Sequence, residues 1–308
     1  MLPGTPGWFY KTGQKARDAC LDYLDLIGNK CVLHVLYEYI KAFNSDGNCL
    51  DVELRYVAAA GGEDAERDQY KHMAMLGFGK DIDSAQWLCG GSLISNRFIL
   101  TAGHCIAAPQ SGPVRYAALG ILKRSDPLEL WQRYFIKRVV QHPEYKPPSK
   151  YHDIALLETA TEVSFNVHVF PACLHSPPNL DRQWDISAEA TGWGALGHNR
   201  ELADTLQTVR LERFEPHECR QLYRPHRHLL HGYNHSTQMC YGHREKIRDT
   251  CKGDSGGPLL NTNPISECVY TIIGVTSSGK SCGFAGNSGV YTRVLHYLPW
   301  IESIVWPD

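Results

Sequence analysis

Three short segments carry side chains that could act together on one substrate. Leu100-Thr101-Ala102-Gly103-His104-Cys105 offers an imidazole and Asp153-Ile154-Ala155-Leu156-Leu157 a carboxylate. Asp249-Thr250-Cys251-Lys252-Gly253-Asp254-Ser255-Gly256-Gly257-Pro258 offers a hydroxyl among glycines. A serine hydroxyl is a weak nucleophile until a base takes its proton, and imidazole does that near neutral pH. The imidazole needs a carboxylate to hold its tautomer and to stabilise the imidazolium that forms. Any one of the 15 histidines is, alone, an ordinary surface or packing residue, and Gly-Asp-Ser-Gly-Gly alone reads as a turn. The joint occurrence of His104, Asp153 and Ser255 in that order is what points to nucleophilic acyl transfer. Gly253 and Gly256 flank the serine because backbone N–H groups must come close to a developing oxyanion. Donors at Gly253 and Ser255 would each supply about 3–4 kcal/mol of transition-state stabilisation.

Positioning these groups falls to the elements around them. From about Ala59 onward short β-type runs alternate with turn signals, as in a barrel or sandwich: Ser92–Leu100, Tyr134–Val140, Ile154–Leu157 and Tyr270–Thr276. The period changes at the end, where Val294, Leu298, Ile301 and Val305 recur on one face of a terminal amphipathic helix. Residues 1–58 differ in character. Leu21, Leu24, Val32, Val35, Leu36 and Ile40 fall at loosely helical spacing within Asp18–Phe43, and Asn44-Ser45-Asp46-Gly47-Asn48 follows as a turn cluster. The domain expectation is an N-terminal region over 1–58 and one all-β unit over 59–308.

The composition bounds the function. With 31 Lys+Arg against 33 Asp+Glu the net charge is −2, which removes the electrostatic case for nucleic acid or an anionic membrane surface. No apolar run reaches the roughly 18–20 residues that span a bilayer. Eleven cysteines favour an oxidising compartment. Met1 to Arg17 holds Pro, Gly and Lys where an export signal would place an apolar stretch, so a start truncated relative to the natural protein is expected.

Several motifs together resemble the chymotrypsin-fold, trypsin-like serine endopeptidases. They are Cys89 to Cys105 (CGGSLISNRFILTAGHC), DIALL from Asp153, Thr191-Gly192-Trp193-Gly194, GDSGGP from Gly253 and Gly289-Val290-Tyr291-Thr292. The resemblance covers about residues 59–308. It implies two packed antiparallel six-stranded β-barrels with a C-terminal helix, preceded by a short light-chain or pro region. It implies His104 as general base, Asp153 as its orienting partner, Ser255 as nucleophile, and Gly253 and Ser255 as the oxyanion hole. Asp249, six residues before the nucleophile, would form the floor of the primary specificity pocket, with Gly279 and Gly289 on its walls. An anionic floor favours Arg or Lys, since a buried carboxylate left unpaired is costly. Ser277 and Ser278 would lie along the substrate backbone, Ser278 leaving a more open cleft than a bulky aromatic would.

The resemblance also assigns cysteines. It pairs Cys89 with Cys105, Cys219 with Cys240 and Cys251 with Cys282, and it makes Cys49 the natural partner of Cys173. Cys20 with Cys268 is then expected as a second tether, leaving Cys31 free or paired elsewhere, although spacing by itself establishes no connectivity.

Three stretches narrow the resemblance to the arthropod clip-domain proteases of the snake type: His72-Met73-Ala74-Met75-Leu76-Gly77, His142 to Asp153 (HPEYKPPSKYHD) and Cys20-Leu21-Asp22-Tyr23. Such proteases are secreted zymogens of extracellular cascades in embryonic patterning, melanisation or innate immune signalling. The implied partners are a protein substrate that is itself a downstream zymogen and an upstream activating protease. A serpin-type inhibitor is compatible with that setting, and neither nucleic acid nor membrane is implied. A clip module needs six cysteines and residues 1–58 hold only Cys20, Cys31 and Cys49, so no complete module is expected there.

The activation junction departs from the family pattern. Ala59-Ala60 stands where Ile-Val is usual ahead of Gly61-Gly62, and the new amino terminus would pair with Asp254. Ala in place of Ile forgoes about 2–2.5 kcal/mol of burial. A cut after Arg55 would leave Tyr56-Val57 as an alternative inserting pair, and the two registers stay open. The leading expectation is an active trypsin-like enzyme, with a catalytically silent homologue acting by binding or regulation as the alternative. His217, His226, His228, His231, His235 and His243 fit no compact ligand pattern and read as a solvated insertion loop, so no metal is expected. Lys123-Arg124-Ser125-Asp126-Pro127 offers little carboxylate for calcium, and no cofactor is implied. Asn234-His235-Ser236 is a glycosylation sequon if the chain is exported.

Overall fold

The computed structural model describes residues 13–27, 62–174, 187–197, 200–246, 250–251, 253–262, 269–279 and 286–308. Asp249, Ala59, Cys31, Cys49, Cys268, Cys282 and the Asn44–Asn48 turn cluster lie outside them.

Twelve strands close into two antiparallel barrels of six. The first is built from β2 (Met73–Phe78), β3 (Gln86–Leu93), β4 (Phe98–Thr101), β6 (Gly112–Leu119), β7 (Gln132–Gln141) and β8 (Ala155–Thr159). Its ring runs β2-β3-β4-β8-β7-β6 and closes through β2–β6 pairing, with the two-residue β5 (Ala107–Ala108) added beside β6. The second holds β9 (Ser187–Gly192), β10 (Gln207–Arg213), β11 (Gln238–Gly242), β12 (Pro258–Thr262), β13 (Tyr270–Gly279) and β14 (Ser288–Arg293). Its ring β10-β11-β14-β13-β12-β9 closes through β9–β10, and β1 (Glu63–Asp64) adds to β10. Closure removes the free sheet edges that would otherwise invite association. This is the expected chymotrypsin fold.

The expected strand over Ser92–Leu100 is instead a hairpin. β3 ends at Leu93 and β4 begins at Phe98, with Ser92 opposite Leu100 and Leu93 opposite Ile99. Ser95 makes the turn, its Oγ accepting from the N–H groups of Arg97 at 3.3 Å and Phe98 at 3.1 Å. A serine hydroxyl satisfying its own local backbone competes with the ladder, and here it wins. The other three predicted runs fall within β7, β8 and β13, though Ile154 itself precedes β8.

Two helices meet at the back of the molecule. α3 spans Val294–Val305, with Val294, Leu298, Ile301 and Val305 all buried as their spacing requires. α1 (Gln14–Ile27) lies within the helical tendency read from the N-terminal region, beginning before Asp18. Its first turn leaves orphan N–H groups, and Glu302 of α3 takes two of them: Oε2 accepts from Gly13 at 3.0 Å and Oε1 from Ala16 at 2.9 Å. Tyr23 packs edge-on to Phe165 and Phe170 and donates its hydroxyl to the Ile94 carbonyl at 2.9 Å.

That docking corrects two expected disulfides. Cys173 bonds to Cys20, which overturns both Cys49–Cys173 and Cys20–Cys268. The reason is tertiary: with Glu302 gripping one end of α1 and Tyr23 seated among the phenylalanines, the intervening turn of helix sets Cys20 against Cys173 and Val269. Cys89–Cys105 and Cys219–Cys240 form as expected, and Cys251 is disulfide-bonded.

Residues 217–243 are more than a solvated insertion. α2 (Pro216–Leu222) starts it with a Glu215/Glu218 capping box, and Phe214, Tyr223, Leu229, Tyr233 and Val290 pack around the Cys219–Cys240 bond. The loop grips the segment before Asp153. Lys150 N–H donates to the His228 carbonyl at 2.8 Å and Tyr151 Oη to the Gly232 carbonyl at 2.7 Å.

Candidate active site

His104 stands on a 3₁₀ turn, Gly103–Ile106, that follows β4. Gly103 is required there, because a Cβ would lie 2.8 Å from the ring of Tyr145. Asp153 ends the connection between β7 and β8 and is wholly buried. Its Oδ1 accepts the His104 backbone N–H at 2.8 Å, and its Oδ2 lies 2.8 Å from His104 Nδ1. A carboxylate on Nδ1 fixes the proton there and leaves Nε2 as the free base. Ser277 of β13 also donates to Oδ2, at 2.5 Å, and Thr292 of β14 donates to the Asp153 carbonyl at 2.9 Å. The carboxylate thus joins the first barrel, through His104, to the second. Burial alone would push its pKa up. The charge and hydrogen bond of His104, then Lys150 and Ser277, outweigh burial and bring the carboxyl down to about 2.

Lys150 is a partner that sequence reasoning missed. Its Nζ lies 3.3 Å from the same Oδ2, with only 18 % of its side chain exposed. Burial lowers its pKa, against the pull of Asp153. A basic residue three positions before the aspartate was visible in the sequence. Nothing there signalled that the loop would turn it back onto the carboxylate.

The serine sits on a turn whose glycines are dictated by neighbours. Gly256 has φ +77°, and a Cβ on it would run into Thr101 Oγ1 and come 2.5 Å from the Gly90 carbonyl. Gly253 has φ +106°, with Gly194 Cα 2.9 Å from where its Cβ would be. Both positions therefore exclude side chains sterically and conformationally. The N–H groups of Asp254, Gly256 and Gly257 are committed to the carbonyls of Cys251, Thr276 and Asp254. Those of Gly253 and Ser255 take no partner among the described residues, which leaves two donors side by side for an incoming oxyanion.

Ser255 is held beside the histidine through the Cys89–Cys105 disulfide. Gly90 N–H donates to the Ser255 carbonyl at 2.8 Å. The Cβ position of Gly256 is 3.2 Å from Cys105 Sγ, and His104 Nε2 is 3.8 Å from that same sulfur. Among the described residues Ser255 Oγ makes no hydrogen bond to His104. The structure thus pairs the imidazole with the carboxylate and brings the serine turn alongside. Such contacts often tighten only when substrate binds.

Asp254 turns its carboxylate toward Gly192 and Gly194. It is half-buried, accepts N–H groups from Gly194 and Cys251 at 2.8 Å each, and desolvation pushes its carboxyl up to about 6. Gly192 and Gly194 make room for it, since a Cβ at Gly194 would meet its Oδ1 at 2.5 Å. A small cleft lined by Gly62, Ala190, Gly192, Val209, Thr250 and Asp254 adjoins it. Ala59 lies three residues before Gly62 and so within about 10 Å of chain reach of this cleft.

The predicted pocket walls are brought together: Gly279 and Gly289 pair across β13 and β14. A Cβ at Gly289 would stand 3.0 Å from Thr250 Oγ1, which itself meets the Tyr291 hydroxyl at 3.1 Å. Thr250 and Tyr291 were also missed as neighbours of Gly289. Ser278 and Gly279 border an open cleft of about 600 Å³ shared with Lys150, Arg224, His226 and His228.

Residues 59–301 match the family model described as Trypsin. Serine protease snk of Drosophila melanogaster is 37 % identical over 250 residues, covering 80 % of this chain and 56 % of that protein. Serine protease Hayan of the same organism is 36 % identical over 255 residues, covering 80 % of this chain and 39 % of the relative. CLIP domain-containing serine protease B14 of Anopheles gambiae is 32 % identical over 290 residues, covering 85 % and 75 %. The chain therefore spans about half, or less, of the length of the first two.

Proposed function

The chain belongs to the trypsin family, and from that premise we propose that it is a serine endopeptidase that cuts protein substrates after Arg or Lys. The observation that carries the reading is the pairing of a buried Asp153 with His104 beside a serine turn whose Gly253 and Ser255 N–H groups take no partner among the described residues. In this reading Ser255 Oγ attacks the scissile carbonyl while His104 Nε2 takes its proton. Asp153 holds the imidazole and stabilises its cationic form, and the two N–H groups receive the oxyanion. His104 then protonates the leaving amine, and water repeats the sequence on the acyl-enzyme. Asp249, in register six residues before Ser255, gives the pocket its preference for a basic side chain. The facing Gly279 and Gly289 leave room for its length.

The enzyme is a zymogen in this proposal. A cut near residues 55–59 frees an amino group that enters the cleft by Gly62 and pairs with Asp254. The cysteine bonds support an extracellular setting, and the CLIP domain-containing serine protease among the relatives fits a reading in which an upstream protease activates this one and a downstream zymogen is its substrate. The silent-homologue reading rests only on Ala59-Ala60, whose smaller side chains weaken insertion.

Chromogenic peptides ending in Arg or Ala, offered after activation, test the proposal. Arg peptides should be cleaved preferentially, with Ser255→Ala lower by about 10³-fold or more. Equal rates for wild type and Ser255→Ala would reject the enzyme and leave the binding role.

A further inference from the structure

Next to Asp153 along the chain, three side chains converge that the proteolytic reading does not use. His142 follows β7, Glu144 comes two residues later, and His152 immediately precedes Asp153. One ligand atom from each lies within 4.8 Å of those of the other two. His152 Nδ1 and Glu144 Oε2 are 3.8 Å apart. That is long for a hydrogen bond, but it is close to the spacing of two atoms that share a metal. Bonds of about 2.0–2.1 Å at tetrahedral angles put neighbouring ligands roughly 3.4 Å apart.

The site is built rather than incidental. His142 is buried, and its ring is held edge-on by Tyr297 and Trp300 of α3, each with a centroid 5.0 Å away. Tyr297 Oη lies 3.1 Å from His152 Nδ1, the nitrogen that also faces Glu144, so this hydroxyl gives way when that lone pair goes to a metal. His152 adopts φ +54°, a left-handed conformation that a residue without special need avoids, and this conformation turns its ring alongside His142. The other cysteine- and histidine-containing cluster, Cys89, His104 and Cys105, is no rival, because its two sulfurs are joined to each other.

We propose that His142, Glu144 and His152 form a zinc site. Two imidazoles and one carboxylate, with water in the fourth position, suit a borderline divalent cation and are poor ligands for calcium or magnesium. His296 of α3 stands near enough to His152 and Glu144 for their charges to bear on it. Zinc there would tie the start of the 142–153 connection to its end, and Asp153 is the next residue.

Isothermal titration with zinc alone, on the full chain carrying Ser255→Ala, tests this. One ion should bind per site. Glu144→Gln and His152→Asn should each weaken binding at least tenfold. Both side chains reach solvent, and Asn tolerates the left-handed backbone of position 152, so these variants spare the buried His142. Their apo thermal midpoints confirm folding. A double variant, His226→Gln with His228→Gln, should bind as the parent does. Absence of binding, or equal binding by Glu144→Gln and His152→Asn, overturns the site. Loss confined to the His226/His228 variant assigns the ion to the insertion loop and overturns it equally.

Discussion

Replacing Asp254 by Asn probes a desolvated carboxyl whose hydrogen-bond partners, among the described residues, are two backbone N–H groups. Its pKa rises from 3.8 to about 6 because burial outweighs those two donors. Two units at 1.36 kcal/mol each make about 3 kcal/mol. The folded chain keeps this proton to higher pH than the unfolded chain does. The associated stability is therefore full below pH 3.8 and is lost as pH rises through about 6. The asparagine side chain cannot titrate. Urea unfolding of the uncleaved chain and of its Asp254→Asn variant, both carrying Ser255→Ala, should reveal the difference. The stability of the parent relative to the variant should fall by about 3 kcal/mol between about pH 3.5 and pH 7. Titrations common to both proteins, including that of Asp153, cancel. After activating cleavage the same fall should shrink, because an α-ammonium beside the carboxylate favours its charged form. A difference flat with pH, or rising with it, would refute the reasoning about this carboxyl. A fall that cleavage leaves unchanged would refute its pairing with the new amino terminus.

Three further perturbations follow from the packing and the cysteine bonds. Gly256→Ala forces a side chain into a left-handed position already occupied by Thr101 and the Gly90 carbonyl, and should cost at least about 3 kcal/mol by chemical denaturation. Gly279→Ala, whose Cβ would approach nothing among the described residues closer than 3.8 Å, should stay within about 1 kcal/mol while lowering kcat/KM for Arg peptides. The Cys20–Cys173 bond closes a separation of 153 residues, and Cys20→Ser should cost up to about 5 kcal/mol by the loop-entropy relation. In the activated protein, non-reducing electrophoresis should keep the α1 segment attached, and reduction should release it.

Much of the candidate site was legible because its parts are local. The glycines around Ser255, the Leu100–Cys105 turn and the Asp153–Leu157 strand entry each carry their constraint within a few residues, and each constraint is visible as a residue type. Short β runs and the 3.6-residue period of Val294–Val305 likewise declare themselves, since apolar spacing is set by the element that buries it. The hairpin inside Ser92–Leu100 escaped because Ser95 broke a run whose apolar spacing was continuous through it.

The amino-acid sequence by itself determined which groups are chemically able to act and the two-barrel class that gathers them. Tertiary structure alone decided who meets whom across long separations. It set Cys20 against Cys173 through a helix clamped by Glu302. It folded Lys150 back onto Asp153, and it turned His142, Glu144 and His152 toward one another against α3. The physical reason is that such contacts depend on the packing of distant side chains, so no local pattern records them.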